Sequence, residues 1–308
     1  MGTPDFASQS LEALFELKCK VVGVVSQPDR PKGRGRALQR TPVAATADGH
    51  DVPVYQWPRL SQVSYDQLTA LKPDLMVVVA YGKILPRRYL ELPRYGCLNV
   101  HASILPKLRG AAPIQWAVLR GHGETGVSIM QMDEGMDTGD VLLLRTTEIG
   151  PDETSGELHD RLASLGAQAL GEAIDGLCAG ALIPVPQNHD DATEAPKLAK
   201  SDGRIDWQRS AQVVHNLVRG MSPWPCAYVE MPQGALKIHE TRIAMDQNSE
   251  AHKPGEIIAH HPDGPVVSCL DDEAVVITKI QRPGKRAVSG AEFLRGTAMP
   301  LGTMLGDL

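Results

Sequence analysis

In the run CLNVH, Asn99 and His101 stand two residues apart. Side chains alternate along a strand, so both project from the same face at its end. An asparagine amide can donate to a carbonyl oxygen that is gaining negative charge. An imidazole beside it can donate as well, or shuttle a proton. Farther along, the glycine-bracketed loop MDEGMDTGD offers Asp137, a carboxylate able to bond the imidazole or a proton-carrying water. Asp133, Glu134 and Asp140 crowd the same loop, and composition does not choose among them. Asn, His and Asp together suit acyl-type transfer to an amine. That reaction needs oxyanion stabilisation and removal of a proton from nitrogen, but no protein nucleophile. Each residue also has a plain structural reading: a hydrogen-bonded histidine at a strand end, or an asparagine capping a turn.

Other chemistries lack their signatures. There is no G-x-G-x-x-G, no G-x-x-x-x-G-K-[ST] and no G-x-S-x-G. The 5 cysteines, Cys19, Cys97, Cys178, Cys226 and Cys269, are odd in number and scattered without metal-ligand spacing. The histidines form no H-x-x-x-H pair, so no metal site is expected. Reduced thiols point to a cytoplasmic protein. No apolar run approaches the roughly 20 residues of a membrane span, and no signal-peptide pattern opens the chain.

Elements must carry these residues into place. Strand-like runs occur at Val21–Val25, Val52–Tyr55, Leu75–Ala80, Leu98–Val100, Val127–Met132 and Val141–Leu144. Helical periodicity marks Phe6–Leu17, Leu60–Leu71, Pro113–Leu119 and Gly156–Leu177. This alternation predicts an α/β fold, with a parallel, doubly wound sheet over residues 1–180. In such sheets ligands bind beyond the carboxyl ends of the strands, where GTPDF, SQPDRP, AYGKILP, HASILP and MDEGMDTGD fall. Residues 181–203, rich in Pro, Ala and Asp without a period, read as a linker. Over 204–308, one helix (Ser210–Arg219) precedes short strands separated by turn signals, the pattern of a small antiparallel barrel or sandwich.

One stretch is out of character. QPDRPKGRGRALQR places Arg30, Lys32, Arg34, Arg36 and Arg40 against Asp29, in a chain of formal net charge −6. It reads either as a solvated surface turn or as a clamp for a phosphate-bearing partner.

The segments NVHASILPKLRGAAPIQWAVLRG and TGVSIMQMDEGMDTGDVL closely resemble the folate-dependent formyltransferases. So do GTPDFA, QPDRPKGRG, VVVAYGKILP, GRIDW and SPWPCAYVE, so the likeness covers most of the chain. The resemblance implies a Rossmann-like catalytic domain followed by an oligonucleotide-binding (OB)-like β-barrel. It gives the catalytic roles to Asn99, His101 and Asp137. It implies folate contacts from Tyr81, Gly82, Ile84, Leu85, Ser103, Ile104, Leu105 and Pro106. The implied donor is 10-formyltetrahydrofolate, with no metal. Members acting on small amines lack the long basic insertion, so Arg30, Lys32, Arg34 and Arg36 imply a tRNA clamp. The partner is then initiator methionyl-tRNA, formylated for translation initiation. On the same grounds Lys279, Arg282, Lys285 and Arg286 of the second domain face RNA, with a solvated hairpin as the alternative. Phe6 lines a methionine pocket by resemblance, although by composition it is equally the first core residue of a helix. The rival functions are a formyltransferase for a small amine and a non-catalytic RNA-binding protein of this fold. The protein is expected to be a monomer. Family members carry a short apolar strand before GTPDF; here only Met1 precedes it. The first, central strand is therefore expected to be missing, with a natural start upstream of Met1.

Overall fold

The computed structural model describes residues 1–32, 37–244 and 252–306. The chain forms two compact units. One comprises Met1–Pro113, Thr125–Thr147 and His159–Ala195, the other Ile114–Glu124, Glu148–Leu158 and Pro196–Leu308. The expected 1–180 and 204–308 blocks account for most of each, but the units interleave along the chain. The 181–203 segment is shared: residues to Ala195 pack in the first unit and those from Pro196 in the second.

The first unit opens with α1 (Asp5–Glu16), which buries Phe6, Ala7, Ser10 and Leu11 along one helical face. After β1 (Val24–Val25), the basic stretch folds into an antiparallel ribbon of β2 (Arg30–Lys32) and β3 (Ala37–Gln39), Arg30 opposite Gln39. The two flanks of the basic stretch are thus paired strands, and Arg34 and Arg36 lie outside the described residues. In α2 (Pro42–Gly49) the Thr41 hydroxyl accepts from the Ala44 amide, with Pro42 in the first turn. The remaining elements through the first two thirds of the chain are β4 (Val54–Tyr55), α3 (Gln62–Leu71), β5 (Met76–Val78), α4 (Arg87–Leu90), β6 (Cys97–His101), α5 (Pro113–Leu119), β7 (Glu124–Gln131), β8 (Val141–Glu148) and α6 (Ser155–Cys178).

Strands β5-β6-β7-β8 form one sheet, and β1 pairs parallel with β4. β5 and β6 are parallel, but β6 and β7 are antiparallel, so the expected all-parallel sheet is mixed. Between β1 and β5 the ladder is carried by the first two residues. Gly2 N donates to Val25 O (2.9 Å), and Val79 N donates to Met1 O (2.8 Å). The Met1 amine donates to Val77 O (2.5 Å). GTPDF therefore sits at the carboxyl end of a central strand position, as expected. Behind Met1 this position continues as a cavity of about 750 Å³ lined by Leu11, Val21, Val22, Leu71, Leu75 and Ile174. β1 pairs with β4 over Val24–Val25, shorter than the expected Val21–Val25.

In the second unit α7 (Ala211–Gly220) precedes β9 (Ala227–Val229), β10 (Leu236–Ile243), β11 (Ile257–His261), β12 (Gly264–Ser268), β13 (Ala274–Gln281), β14 (Ala287–Ser289) and α8 (Gly290–Gly296). The strands make a six-stranded antiparallel sheet ordered β11-β12-β13-β10-β9, with β14 on β13. Register shifts around Glu240 bend β10 against β13, the device that curls a sheet toward a barrel. Leu236, Ile238, Ile277 and Ile280 are buried within it.

Candidate active site

Asn99 and His101 occupy β6, paired with Met130 and Ser128 of β7. Asp137 belongs to the loop joining β7 to β8, closed by Gln131 N donating to Asp140 O (2.9 Å). Asn99 Nδ2 donates to Asp137 Oδ1 (3.3 Å). His101 Nδ1 faces Asp137 Oδ2 at 3.6 Å. The other imidazole nitrogen, Nε2, lies 3.0 Å from Leu108 O. A carbonyl can only accept, so Nε2 carries a hydrogen, and Nδ1 is where a second proton is taken up against the carboxylate. The Gly110 amide donates to Asp137 Oδ2 (2.8 Å). His101 is 6% exposed and the Asp137 side chain 15%, so their interaction is shielded from bulk water.

The other acids of the loop have different employment. Asp133 Oδ1 accepts from the Gly135 amide (3.0 Å) and the Thr138 hydroxyl (2.7 Å), holding the turn itself. Exposed Glu134 lies 4.0 Å from Arg87. Asp137 is the acid whose carboxylate meets both Asn99 and His101.

Of the folate candidates, Ser103 donates its hydroxyl to Lys107 O (2.6 Å), and its carbonyl accepts from Ser128 Oγ (2.7 Å). That hydroxyl supports the turn. Leu105 is buried, and Ile104 and Pro106 are half-buried on either side of it, with a cis Leu105–Pro106 bond. Tyr81 and Leu85 are core residues, Gly82 turns with φ 78°, and Ile84 is 79% exposed. Burial and neighbouring Tyr89 push the Tyr81 phenol up to about 12, so it remains a neutral donor. Its buried hydroxyl has no hydrogen-bond partner among the described residues.

Three residues of these stretches have partners of their own. Phe6 is 5% exposed and packs edge-on against His159, ring centroids 5.5 Å apart. It is packed as the first core residue of α1. Lys279 Nζ donates to Glu240 Oε1 (2.7 Å), so its charge is already countered across the strand pair. Arg282, Lys285 and Arg286 are exposed at the turn between β13 and β14. Arg40, counted in the basic stretch, binds both Asp48 oxygens (2.7 Å each), and also reaches Gln56 (2.8 Å) and Asp29 (3.5 Å). It anchors the base of the ribbon. Arg30 is exposed beyond it.

Sequence reasoning missed Arg109 and Gln187. Gln187, in the expected linker, donates from Nε2 to the carbonyls of Asp137 (2.9 Å) and Gly139 (2.7 Å). No motif signals it, because its partners lie about 50 residues away in the chain.

Among the described residues, no group of three or more His, Cys, Asp or Glu could hold a metal ion. None of the described helices is long and apolar enough to cross a membrane.

Comparison with known proteins gives a consistent picture. The formyl transferase family model matches residues 1–174, and the formyl transferase C-terminal domain model matches residues 197–298. The methionyl-tRNA formyltransferase of Citrifermentans bemidjiense is 46% identical over 307 residues, 99% of this chain and 95% of that protein. Among solved structures, a methionyl-tRNA formyltransferase from Clostridium thermocellum aligns with a TM-score of 0.53 at 16% identity, over 80% of this chain and 91% of that one. An N-formyltransferase from Helicobacter canadensis, in complex with folinic acid and dTDP-3-aminofucose, aligns with a TM-score of 0.67 at 16% identity, over 90% and 96%.

Proposed function

The chain belongs to the formyl transferase family through its N-terminal and C-terminal regions alike, and from this premise we propose that Asn99, His101 and Asp137 are its catalytic residues. The reaction is transfer of the formyl group of 10-formyltetrahydrofolate to the amino group of methionyl initiator tRNA, for translation initiation. The observation carrying the residue assignment is the convergence of Asn99 Nδ2 and His101 Nδ1 on the two oxygens of Asp137.

When bound, the folate supplies an electrophilic formyl carbon on a nitrogen leaving group. An asparagine amide has two N–H groups; the one Asn99 does not give to Asp137 is available to the formyl oxygen as it gains negative charge. His101 Nδ1 can accept the proton released by the attacking amine, and the Asp137 carboxylate stabilises the resulting imidazolium. The same proton can then pass to the departing folate nitrogen, so none is gained or lost overall. We assign folate contact to the 81–85 and 103–106 turns, with Ile84, Ile104 and Pro106 offering apolar surface. We assign tRNA contact to the basic stretch containing Arg30, Lys32, Arg34 and Arg36 and, separately, to the turn bearing Arg282, Lys285 and Arg286. Guanidinium groups suit bidentate phosphate contacts. Our reading further makes the enzyme a monomer and, in keeping with its five free cysteines, cytoplasmic.

Formyl transfer to methionyl initiator tRNA, compared with free methionine and with elongator methionyl-tRNA, tests this function. Strong preference for the initiator is expected. Equal use of free methionine would overturn the role given to the basic ribbon.

A further inference from the structure

We infer that Gln187 and Arg109 form a latch that positions Asp137 for the reaction, an inference that rests on the catalytic reading above. Asp137 adopts φ +55°, a left-handed conformation that residues bearing a side chain leave unless the surroundings hold them. Gln187 is 8% exposed and lies against this strained backbone. Its Nε2 donates to the carbonyls of Asp137 and Gly139, spending both amide hydrogens on the loop. Its Oε1 accepts from Arg109 Nε (3.0 Å) and Nη2 (2.6 Å). Arg109 Nη1 also donates to His189 Nδ1 (3.2 Å). The Gln187 amide is therefore fully committed, its oxygen held by two N–H groups of one planar guanidinium.

The latch also reaches the carboxylate end of Asp137. Arg109 N donates to Thr193 O (2.8 Å), and Arg109 O accepts from Ala195 N (2.7 Å). The next residue, Gly110, has φ +120°, and a Cβ there would lie 2.7 Å from Ala195 O. Its amide is the one that donates to Asp137 Oδ2. Thr193 Oγ1 accepts from Leu108 N (2.9 Å), in the residue whose carbonyl fixes His101 Nε2. Asp137 is thus held by its backbone through Gln187 and by its carboxylate through Gly110, and both supports converge on Arg109. Residues 187–195, outside every motif of the sequence, orient both the acid and the imidazole. The side-chain bonds of Gln187 and Arg109 run to the loop backbone, to each other and to His189, so they are positioning residues.

The experiment compares the full chain with Gln187→Leu and with the isosteric Gln187→Glu. The latter keeps an acceptor for Arg109 while turning an oxygen toward the two carbonyls. Steady-state formylation of methionyl initiator tRNA and thermal melting are measured for each, alone and combined with Asp137→Asn. In the folded single variants kcat is expected to fall roughly 10- to 100-fold with KM for folate and tRNA nearly unchanged. In the Asp137→Asn background the same change should alter kcat by less than about 2-fold, because the latch then has no carboxylate to aim. Wild-type kcat in Gln187→Glu, with Asp137→Asn crippled, would overturn the latch and leave the catalytic reading intact. An equally large drop in the Asp137→Asn background would also overturn it, showing that Gln187 acts independently of Asp137. Full turnover in Asp137→Asn alone would overturn both readings.

Discussion

His101 meets Asp137 through one ring nitrogen and Leu108 through the other, at 3.6 Å and 3.0 Å. The carbonyl contact assigns the Nε2 hydrogen and aims Nδ1 at the carboxylate, so the proton-accepting side of the ring is set by backbone.

This arrangement predicts that Asn99→Ala, His101→Ala and Asp137→Ala each lower turnover by at least ~100-fold with tRNA binding nearly intact. Steady-state kinetics of single and combined variants check it. The combined loss is expected to fall far short of the product of the single losses, because the three act as one unit.

Salt dependence separates the two kinds of basic residue. Arg282→Ala, Lys285→Ala or Arg286→Ala should weaken tRNA binding and make the slope of log affinity against log salt shallower, by roughly 0.7–0.9 for each phosphate no longer neutralised. Lys279→Ala should leave the slope nearly unchanged, because Glu240 already holds that ammonium. A steeper effect at Lys279 than at the other three would refute the assignment.

Acid should loosen the base of the ribbon. Hydrogen bonding from Gln56 and Thr41, with the Arg40 charge, holds the Asp29 carboxyl below its ordinary 3.8 despite partial burial. A depressed carboxylate contributes stability that is present above the ordinary value and lost as pH falls through the folded one. Denaturant melts of the parent should therefore weaken below about pH 4. In Asp29→Asn that part of the pH dependence should vanish.

The cavity behind Met1 gives a fourth expectation. Burial lowers the Met1 amine to about 6 from 8.0. Between those values the unfolded chain binds more protons, so stability is full above pH 8 and falls by on the order of 3 kcal/mol toward pH 6. A variant extended by five apolar, β-branched residues would replace that amine with a peptide N–H. It would also offer side chains to Leu11, Val21, Val22 and Leu75. It should melt at higher temperature with a flatter profile between pH 6 and pH 8. An unchanged melt would show that the cavity does not accept a strand.

Asn99 and His101 were legible in the sequence because the twofold repeat of a strand is local: two residues apart means one face, whatever surrounds it. The alternation of strands and helices was legible for the same reason. Tertiary structure alone distinguished Asp137 from Asp133, since a carboxylate's role depends on which donors surround it, and these acids share one loop. It likewise divided the basic stretch, giving Arg40 to Asp48 while leaving Arg30 exposed, and it placed Phe6 in the core. Charge and apolarity are written in the residue, but their use is fixed by partners distant in the chain. Gln187 is the clearest instance. A glutamine in a proline-rich segment carries no periodicity and no motif, and it acquires its place only when the chain brings residue 187 back to the carbonyl of residue 137.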